Sequence, residues 1–477
     1  MILTQRGESC SVNWMIKCEG GMKMKYAWID AINAAMDEYR PMMLKAEREI
    51  WAHPETGFKE WFANDLLKKV FTDMGFTLIE AGDIPGFYFD IDTGKEGPMV
   101  CVMGELDSVI CPEHPEADPV TGAVHSCGHN CQSSALIGIA GALNKPEILE
   151  KLSGKIRIMA VPAEELLELG YRAGLRAEGK IKYMGGKVEF ISRGYFEGVD
   201  MSILVHTAGG TGHTIYLSMG NNGCVVKNIT YTGKASHAGG YPQGGINALY
   251  AAQVGITAMN SLRETFADKD HIRVHPIITS GGAIVNAIPA KVTMESYTRG
   301  ASYEAIKDAN KKVNRSLAAG ALALGAQVKI EDLPGYMPLN NDPNLNEVFK
   351  EASVALFGED AVKMTDDWGS GCTDVGDVSC IMPAVQPCCS GAKGTGHGAD
   401  YYVEDPEKAV VQSAAAQAAA VCALLENDAE KARFVKENAK PLYPSREEFL
   451  KAIDSIMLDG DAITYNEDGT ASVKWTN

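Results

Sequence analysis

Lys155-Ile-Arg-Ile-Met-Ala-Val-Pro-Ala-Glu-Glu165 is an apolar run that stops at a proline and two carboxylates. Its first seven residues read as a buried β-strand, because a short apolar run closed by Pro162 is too brief for a helix. The arrangement recurs along the chain. Met99–Met103 is a strand pattern ending in Gly104-Glu105-Leu106-Asp107, and Met201–Val205 is another ending at His206. Phe87–Ile91 reads as a further strand, and Ser133–Asn144 as a helix. Residues with chemistry therefore fall at or just past strand ends, where an open α/β sheet places its site.

Outward from this core, residues 25–75 carry two helical periodicities, broken at His53-Pro54-Glu55-Thr56-Gly57-Phe58. Leu166–Glu197, rich in Arg, Lys and Gly, reads as an inserted loop with some helix. From about residue 216 the pattern changes. Strands over Val225–Thr232, Arg273–Thr279, Lys291–Thr298 and Gln327–Ile330 alternate with helices over Ile246–Leu262 and Tyr303–Leu324. That order, β-α-β-β-α-β, is ferredoxin-like. Mixed character resumes with a helix over Asn344–Leu356, a strand near Ile381, and an Ala-rich helix from about Pro406 to Glu426. A short helix follows, then a hairpin around Asn466-Glu467-Asp468-Gly469.

The expected fold class is α/β: a catalytic domain with a mixed, mainly parallel sheet flanked by helices, interrupted by an inserted ferredoxin-like α+β domain. The expected boundaries are 22–215 and 334–477 for the two catalytic parts and 216–333 for the insert. Residues 1–21 read as a loose extension.

At 477 residues, 45% hydrophobic and 22% charged, the chain has ample material for two cores. A formal charge of −18 argues against nucleic acid or an anionic membrane as the main partner. No apolar run reads as long enough to span a bilayer, and no export signal is visible. Twelve scattered cysteines then suit reduced thiols in the cytoplasm.

His125-Ser126-Cys127-Gly128-His129-Asn130 offers a thiolate and imidazoles, a transition-metal ligand set. In an extended segment Cys127 and His129 would share a face. Glu164 and Glu165, adjacent after their strand, would face opposite ways, so one can ligate while the other shuttles a proton. His206 closes its strand, and His397 lies in the Gly-rich stretch Ser390–Gly398. Each alone could be an ordinary structural residue. Together Cys127, His129, Glu165, His206 and His397 supply five ligands for two metal ions holding a nucleophilic hydroxide, with Glu164 left as base. Asp107 reads as an anchor for an imidazole or as a turn residue.

These residues sit in motifs that resemble a known family. They are His53-Pro-Glu-Thr-Gly-Phe58, Gly104-Glu-Leu-Asp-Ser108, His125-Ser-Cys-Gly-His-Asn130, Pro162-Ala-Glu-Glu165 and His206. Further on come Gly233-Lys-Ala-Ser-His-Ala238, Gly281-Gly-Ala-Ile-Val-Asn-Ala-Ile-Pro289 and Gly371-Cys-Thr-Asp-Val-Gly-Asp-Val-Ser379. In this order, over about residues 40–430, the chain resembles the two-metal aminoacylase/carboxypeptidase metallopeptidases. The resemblance is closest to the amidohydrolase branch that includes hippurate, auxin-conjugate and aminobenzoyl-glutamate hydrolases.

The resemblance implies that Cys127, His129, Glu165, His206 and His397 bind two divalent ions (Zn or Mn, with Co or Ni possible), with Glu164 as general base. It makes the insert a lid through which a homodimer forms. His237 would then steady the oxyanion, often in the partner's site, while Asn286 and Arg299 hold substrate. The expected substrate is a small N-acyl amino acid, aminobenzoyl-glutamate-like conjugate or dipeptide with a free carboxylate. After Glu165 the chain departs from the Gly-rich pattern of most relatives, running Leu166-Leu-Glu-Leu-Gly-Tyr-Arg-Ala-Gly-Leu175 into its insertion. Two rivals differ in class. A non-catalytic binding or regulatory subunit would bind acyl amino acids without turnover. A zinc deaminase would need a Pro-Cys-x-x-Cys pair, which Pro387-Cys388-Cys389 does not supply.

Overall fold

Val100 and Val102 point to one side of a central sheet while Cys101 and Met103 point to the other, and each pair enters a different hydrophobic core. This period-2 division organises the catalytic domain. The computed structural model describes residues 26–210 and 212–475, so the expectation for residues 1–21 lies outside the described residues.

Six strands run in the order Ile79–Glu80, Phe87–Asp92, Lys155–Val161, Met99–Glu105, Met201–Ile203, Ala384–Val385. The last four are parallel and the first two join antiparallel, so the sheet is mixed. The two central strands are buried along almost their whole length, as a sheet covered on both faces requires. Helices Ile29–Trp51, His129–Leu143 and Ser413–Asn438 cover one face. Val188, Phe190 and Phe449 pack on the other.

Three expectations need correction. The strand expected near Ile381 lies at Ala384–Val385, because Val375–Ser379 is helical and the chain turns before Pro383. The Met201 strand leaves the central sheet after Ile203 and resumes as His206–Gly209, paired with an unforeseen strand, Cys388–Lys393. One helical stretch, Glu407–Asn438, contains an 18-residue window apolar enough to cross a bilayer, contrary to the sequence reading, although its backbone leaves helical geometry at Glu426–Ala429. However, 89% of its apolar window is buried inside the fold, so alanines make it a core helix.

The insert forms its elements in the expected β-α-β-β-α-β order, from Gly223–Thr232 to Gln327–Pro334. Its antiparallel sheet runs Arg273–Ser280, Lys291–Gly300, Gly223–Thr232, Gln327–Pro334. A fifth strand comes from the tail. Leu458–Asp461, expected with the second catalytic part, pairs with Gln327–Pro334, and Ala462 and Ile463 enter the insert's own core. The expected hairpin follows as Ile463–Tyr465 with Ala471–Val473.

The segment after Glu165 has the helix expected of it. It carries helices Leu169–Ala177 and Gly186–Ser192, and its Arg172 and Lys187 are fully buried. Gly186 lies so close to the Pro162 carbonyl that a Cβ there would sit 1.6 Å from the oxygen. This contact seats the insertion against the turn bearing Glu164.

Candidate metal centre

Cys127 and His129 do not share the face of an extended strand, as the sequence suggested. Gly128 adopts φ +82° and the helix begins at His129, so a left-handed turn brings the two side chains together. A Cβ at Gly128 would meet Tyr401 Oη at 2.5 Å and Thr207 Cβ at 2.9 Å. His397, itself at φ +64°, donates its backbone N–H to the Ser126 carbonyl at 2.8 Å, tying the Gly-rich loop to this turn.

The donor atoms form three overlapping groups, in each of which every pair lies within 4.8 Å: Cys127, His129, His206; Cys127, Glu165, His397; and Glu105, His129, Glu164. Cys127 Sγ is shared by the first two, 3.4 Å from His206 Nε2 and 3.3 Å from His397 Nε2. His397 Nε2 also lies 2.9 Å from Glu165 Oε1. Adjacent Glu164 and Glu165 thus enter different groups.

The imidazoles are aimed by their other nitrogens. His129 Nδ1 lies 2.9 Å from the Asp107 carbonyl and 3.1 Å from its Oδ1, and His206 Nδ1 lies 2.8 Å from the Thr207 carbonyl. With Nδ1 as donor, each Nε2 keeps its lone pair for a cation. Asp107 Oδ2 meanwhile accepts from the Glu165 N–H at 2.7 Å. His129 Nε2 is buried without a hydrogen-bond partner, although Glu105 Oε2 is only 3.2 Å away. A buried, unpartnered nitrogen beside a thiol, a second imidazole and carboxylates fits divalent transition metals. His125 stands apart, with both ring nitrogens unpartnered and its pKa pushed down to about 3 by burial.

Burial alone would raise the Cys127 thiol, but the imidazoles of His129 and His206 bring it down to about 6. Burial would likewise depress His129, yet Cys127 and Glu105 hold it well above its usual range. Burial, then Glu105, Glu165 and Asp374, push Glu164 well above the carboxylate range. Glu165 is held low despite burial, chiefly by His397. Neighbouring carboxylates thus acquire opposite tendencies, an acid–base pair in outline.

Two supports were not foreseen. Lys187, fully buried, pairs with Glu105 and Asp374, each at 2.5 Å. Burial opposes ionisation of both carboxyls, but Lys187 brings Glu105 down to about 2, while Glu105 helps leave Asp374 raised to about 6. Glu60 accepts the Ala163 N–H at 2.7 Å and so braces a non-glycine residue at φ +57° directly before Glu164. A lysine inside the apolar stretch Gly186–Ile191 was the only local sign of the first. Glu60 has no such sign.

The remaining three expected residues lie on the insert. His237 is exposed, its Nδ1 accepting from the N–H groups of Gly239 and Gly240 at 3.1 and 2.9 Å. Exposed Asn286 is next to it, accepting from the Ala238 N–H at 2.9 Å. The Arg299 guanidinium lies 5.4 Å from the Tyr297 ring. None of the three lines the cavities beside Cys127 and His397 within this chain.

A mixed sheet with its donors at strand ends, and a second, ferredoxin-like domain, define a class. The chain belongs to peptidase family M20/M25/M40, whose family model matches residues 101–426. It is an enzyme of the metal-dependent amidohydrolase and peptidase class. Among relatives, it is 30% identical over 373 residues to the Xaa-Arg dipeptidase of Mus musculus, covering 74% of this chain and 77% of that protein. It is 28% identical to one subunit of the p-aminobenzoyl-glutamate hydrolase of Escherichia coli K12, covering 57% of this chain and 52% of that one. A dinuclear metal binding peptidase of the M20 family from Bacillus subtilis shares the fold with a TM-score of 0.60 at 19% identity, over 82% of this chain and 99% of that one.

Proposed function

We propose that the protein hydrolyses the amide bond of a small N-acyl amino acid, an aminobenzoyl-glutamate-like conjugate or a dipeptide with a free carboxylate. The observation that carries this reading is Cys127 Sγ shared between two donor groups with Glu164 beside them. Names of relatives, such as Xaa-Arg dipeptidase and p-aminobenzoyl-glutamate hydrolase, support the substrate range.

In this reading Cys127, His129 and His206 hold one divalent ion, and Cys127, Glu165 and His397 the other; Zn or Mn suits the mixed set, with Co or Ni as further candidates. When bound, the pair supplies Lewis-acid polarisation of the scissile carbonyl and lowers the pKa of water. Glu164 takes a proton from the attacking water and returns it to the leaving amine, a role suited to a carboxyl with raised proton affinity. Asp107 orients His129, and the buried Lys187 pair keeps Glu105 charged beside it.

The lid would close a homodimer. Its edge strand Arg273–Ser280 is paired on one side only and exposes Ile277 and Ile278. His237 would then donate to the oxyanion in the partner's site, with Asn286 and Arg299 holding substrate there. The ten described cysteines are all free, in keeping with the cytoplasm.

Glu164→Ala tests the assignment. Metal content should be retained while kcat falls by about 10²–10⁴-fold. Undiminished turnover would remove Glu164 from the mechanism. Because one relative is by name a subunit of its enzyme, the wild type must also be assayed alone with added Mn²⁺ or Zn²⁺. Binding without turnover would favour a non-catalytic subunit.

A further inference from the structure

The cavity at the centre, about 360 Å³, runs from Cys127, Glu164 and His397 to an outer wall that includes Tyr216, Asp367 and Trp368. No lysine or arginine is among the residues lining it. With a carboxylate on its outer wall and no lysine or arginine among its described lining residues, the part of the pocket away from the ligand groups repels anionic side chains and leaves cationic ones unopposed.

That carboxylate is exposed to solvent but held in place. Asp367 Oδ2 accepts from the Tyr216 hydroxyl and from Thr365 Oγ1 at 2.9 Å, so two neutral donors orient it without cancelling its charge. Both bonds fall on Oδ2, leaving Oδ1 without a donor among the described residues. Among the described residues no ion pair within 4.0 Å involves Asp367; Lys363 acts on it only from longer range. The Tyr216 bond, then that of Thr365, holds its carboxyl below the usual range, so it is charged at neutral pH.

The aromatic side chains beside it have the matching chemistry. Trp368 is half-buried and its indole N–H donates to Asn222 Oδ1 at 2.9 Å, which fixes the ring in the wall. A carboxylate next to a fixed indole and a phenol suits a guanidinium or ammonium, which takes a charged hydrogen bond at its edge and a ring against its face.

The geometry points to Asp367, with Trp368, as the specificity determinant of this site: it receives a cationic side chain, of the arginine or lysine type, on the substrate. This rests on the hydrolase reading above and narrows its substrate class. Neither residue touches the metal-ligand groups, so their effect is on selection, through KM rather than kcat.

The test compares isosteric pairs: alanyl-arginine with alanyl-citrulline, alanyl-lysine with alanyl-norleucine, and the same pairs in reversed order. The metal-loaded wild type should favour the cationic member by about tenfold or more in kcat/KM. Asp367→Asn should collapse that ratio toward one, mainly through KM, and Asp367→Glu should keep most of it. Equal turnover of both members by the wild type, or an undiminished ratio in Asp367→Asn, would overturn the inference. Calorimetric titration with free arginine and citrulline separates this from the hydrolase reading. If no substrate is cleaved, that reading falls, yet arginine binding lost in Asp367→Asn would still establish the subsite. Equal binding of arginine and citrulline would refute the subsite too.

Discussion

Glu60 shows what single residues contribute behind the ligands. Its carboxyl is fully buried, with Oε1 on the Ala163 N–H and Oε2 without a partner. Burial, then the charge of Asp107, pushes it well above its ordinary 4.5. The folded protein therefore keeps a proton that the unfolded chain gives up, and stability falls as pH rises above the unfolded value. Glutamine has the same shape and no such penalty. Glu60→Gln should gain on the wild type as pH rises above about 5, by about 1.4 kcal/mol per pH unit until the folded pKa is reached. Urea unfolding midpoints at several pH values measure this, and a difference constant with pH would contradict it. Lys187 has the opposite character: its buried charge is matched by Glu105 and Asp374, and removing it would leave two carboxylates stranded.

Among the elements, the turn into helix His129–Leu143 decides whether a centre exists at all. All fifteen residues of that helix are buried, so its start cannot shift to suit a different turn. Gly128 holds a left-handed conformation against Thr207 and Tyr401. Gly128→Ala should cost about 1–3 kcal/mol, from the left-handed backbone and the displaced neighbours. It should also separate Cys127 from His129. After dialysis against a chelator and reloading, metal analysis is expected to find fewer ions per chain than in the wild type. Full occupancy with unchanged stability would mean that the turn tolerates a Cβ.

At the scale of the whole molecule, five candidate ligands from distant segments meet, while His237, Asn286 and Arg299 remain on the lid, away from the cavity of their own chain. A symmetric dimer would place each lid against the other catalytic domain. Co-expressing Glu164→Ala with His237→Ala then makes a specific prediction. Each variant alone is inactive, but a random mixture should recover about one quarter of wild-type activity, because half of the dimers contain one intact composite site. No recovery in verified heterodimers would put His237 to work within its own chain, or not at all.

Much of this architecture was legible from local pattern. The helix Tyr303–Leu324 and the strand Lys155–Val161 have the bounds their periodicity implies, since spacing along the chain sets which residues can share a face. The donor residues were legible too, because thiol, imidazole and paired carboxylates at strand ends are chemically conspicuous. What local pattern could not carry was anything made by distant contacts. The strand Cys388–Lys393 exists because His206–Gly209 and Ile215–Leu217 pair with it, and the tail strand Leu458–Asp461 because Gln327–Pro334 leaves an edge open. By itself the sequence determined the elements and the ligand chemistry, which depend on neighbours within a few residues. Only the tertiary structure decided that Gly128 turns Cys127 toward His129, that Lys187 is buried against Glu105, and that Asp367 faces the cavity. Each depends on backbone approach and burial between segments that are far apart in the chain.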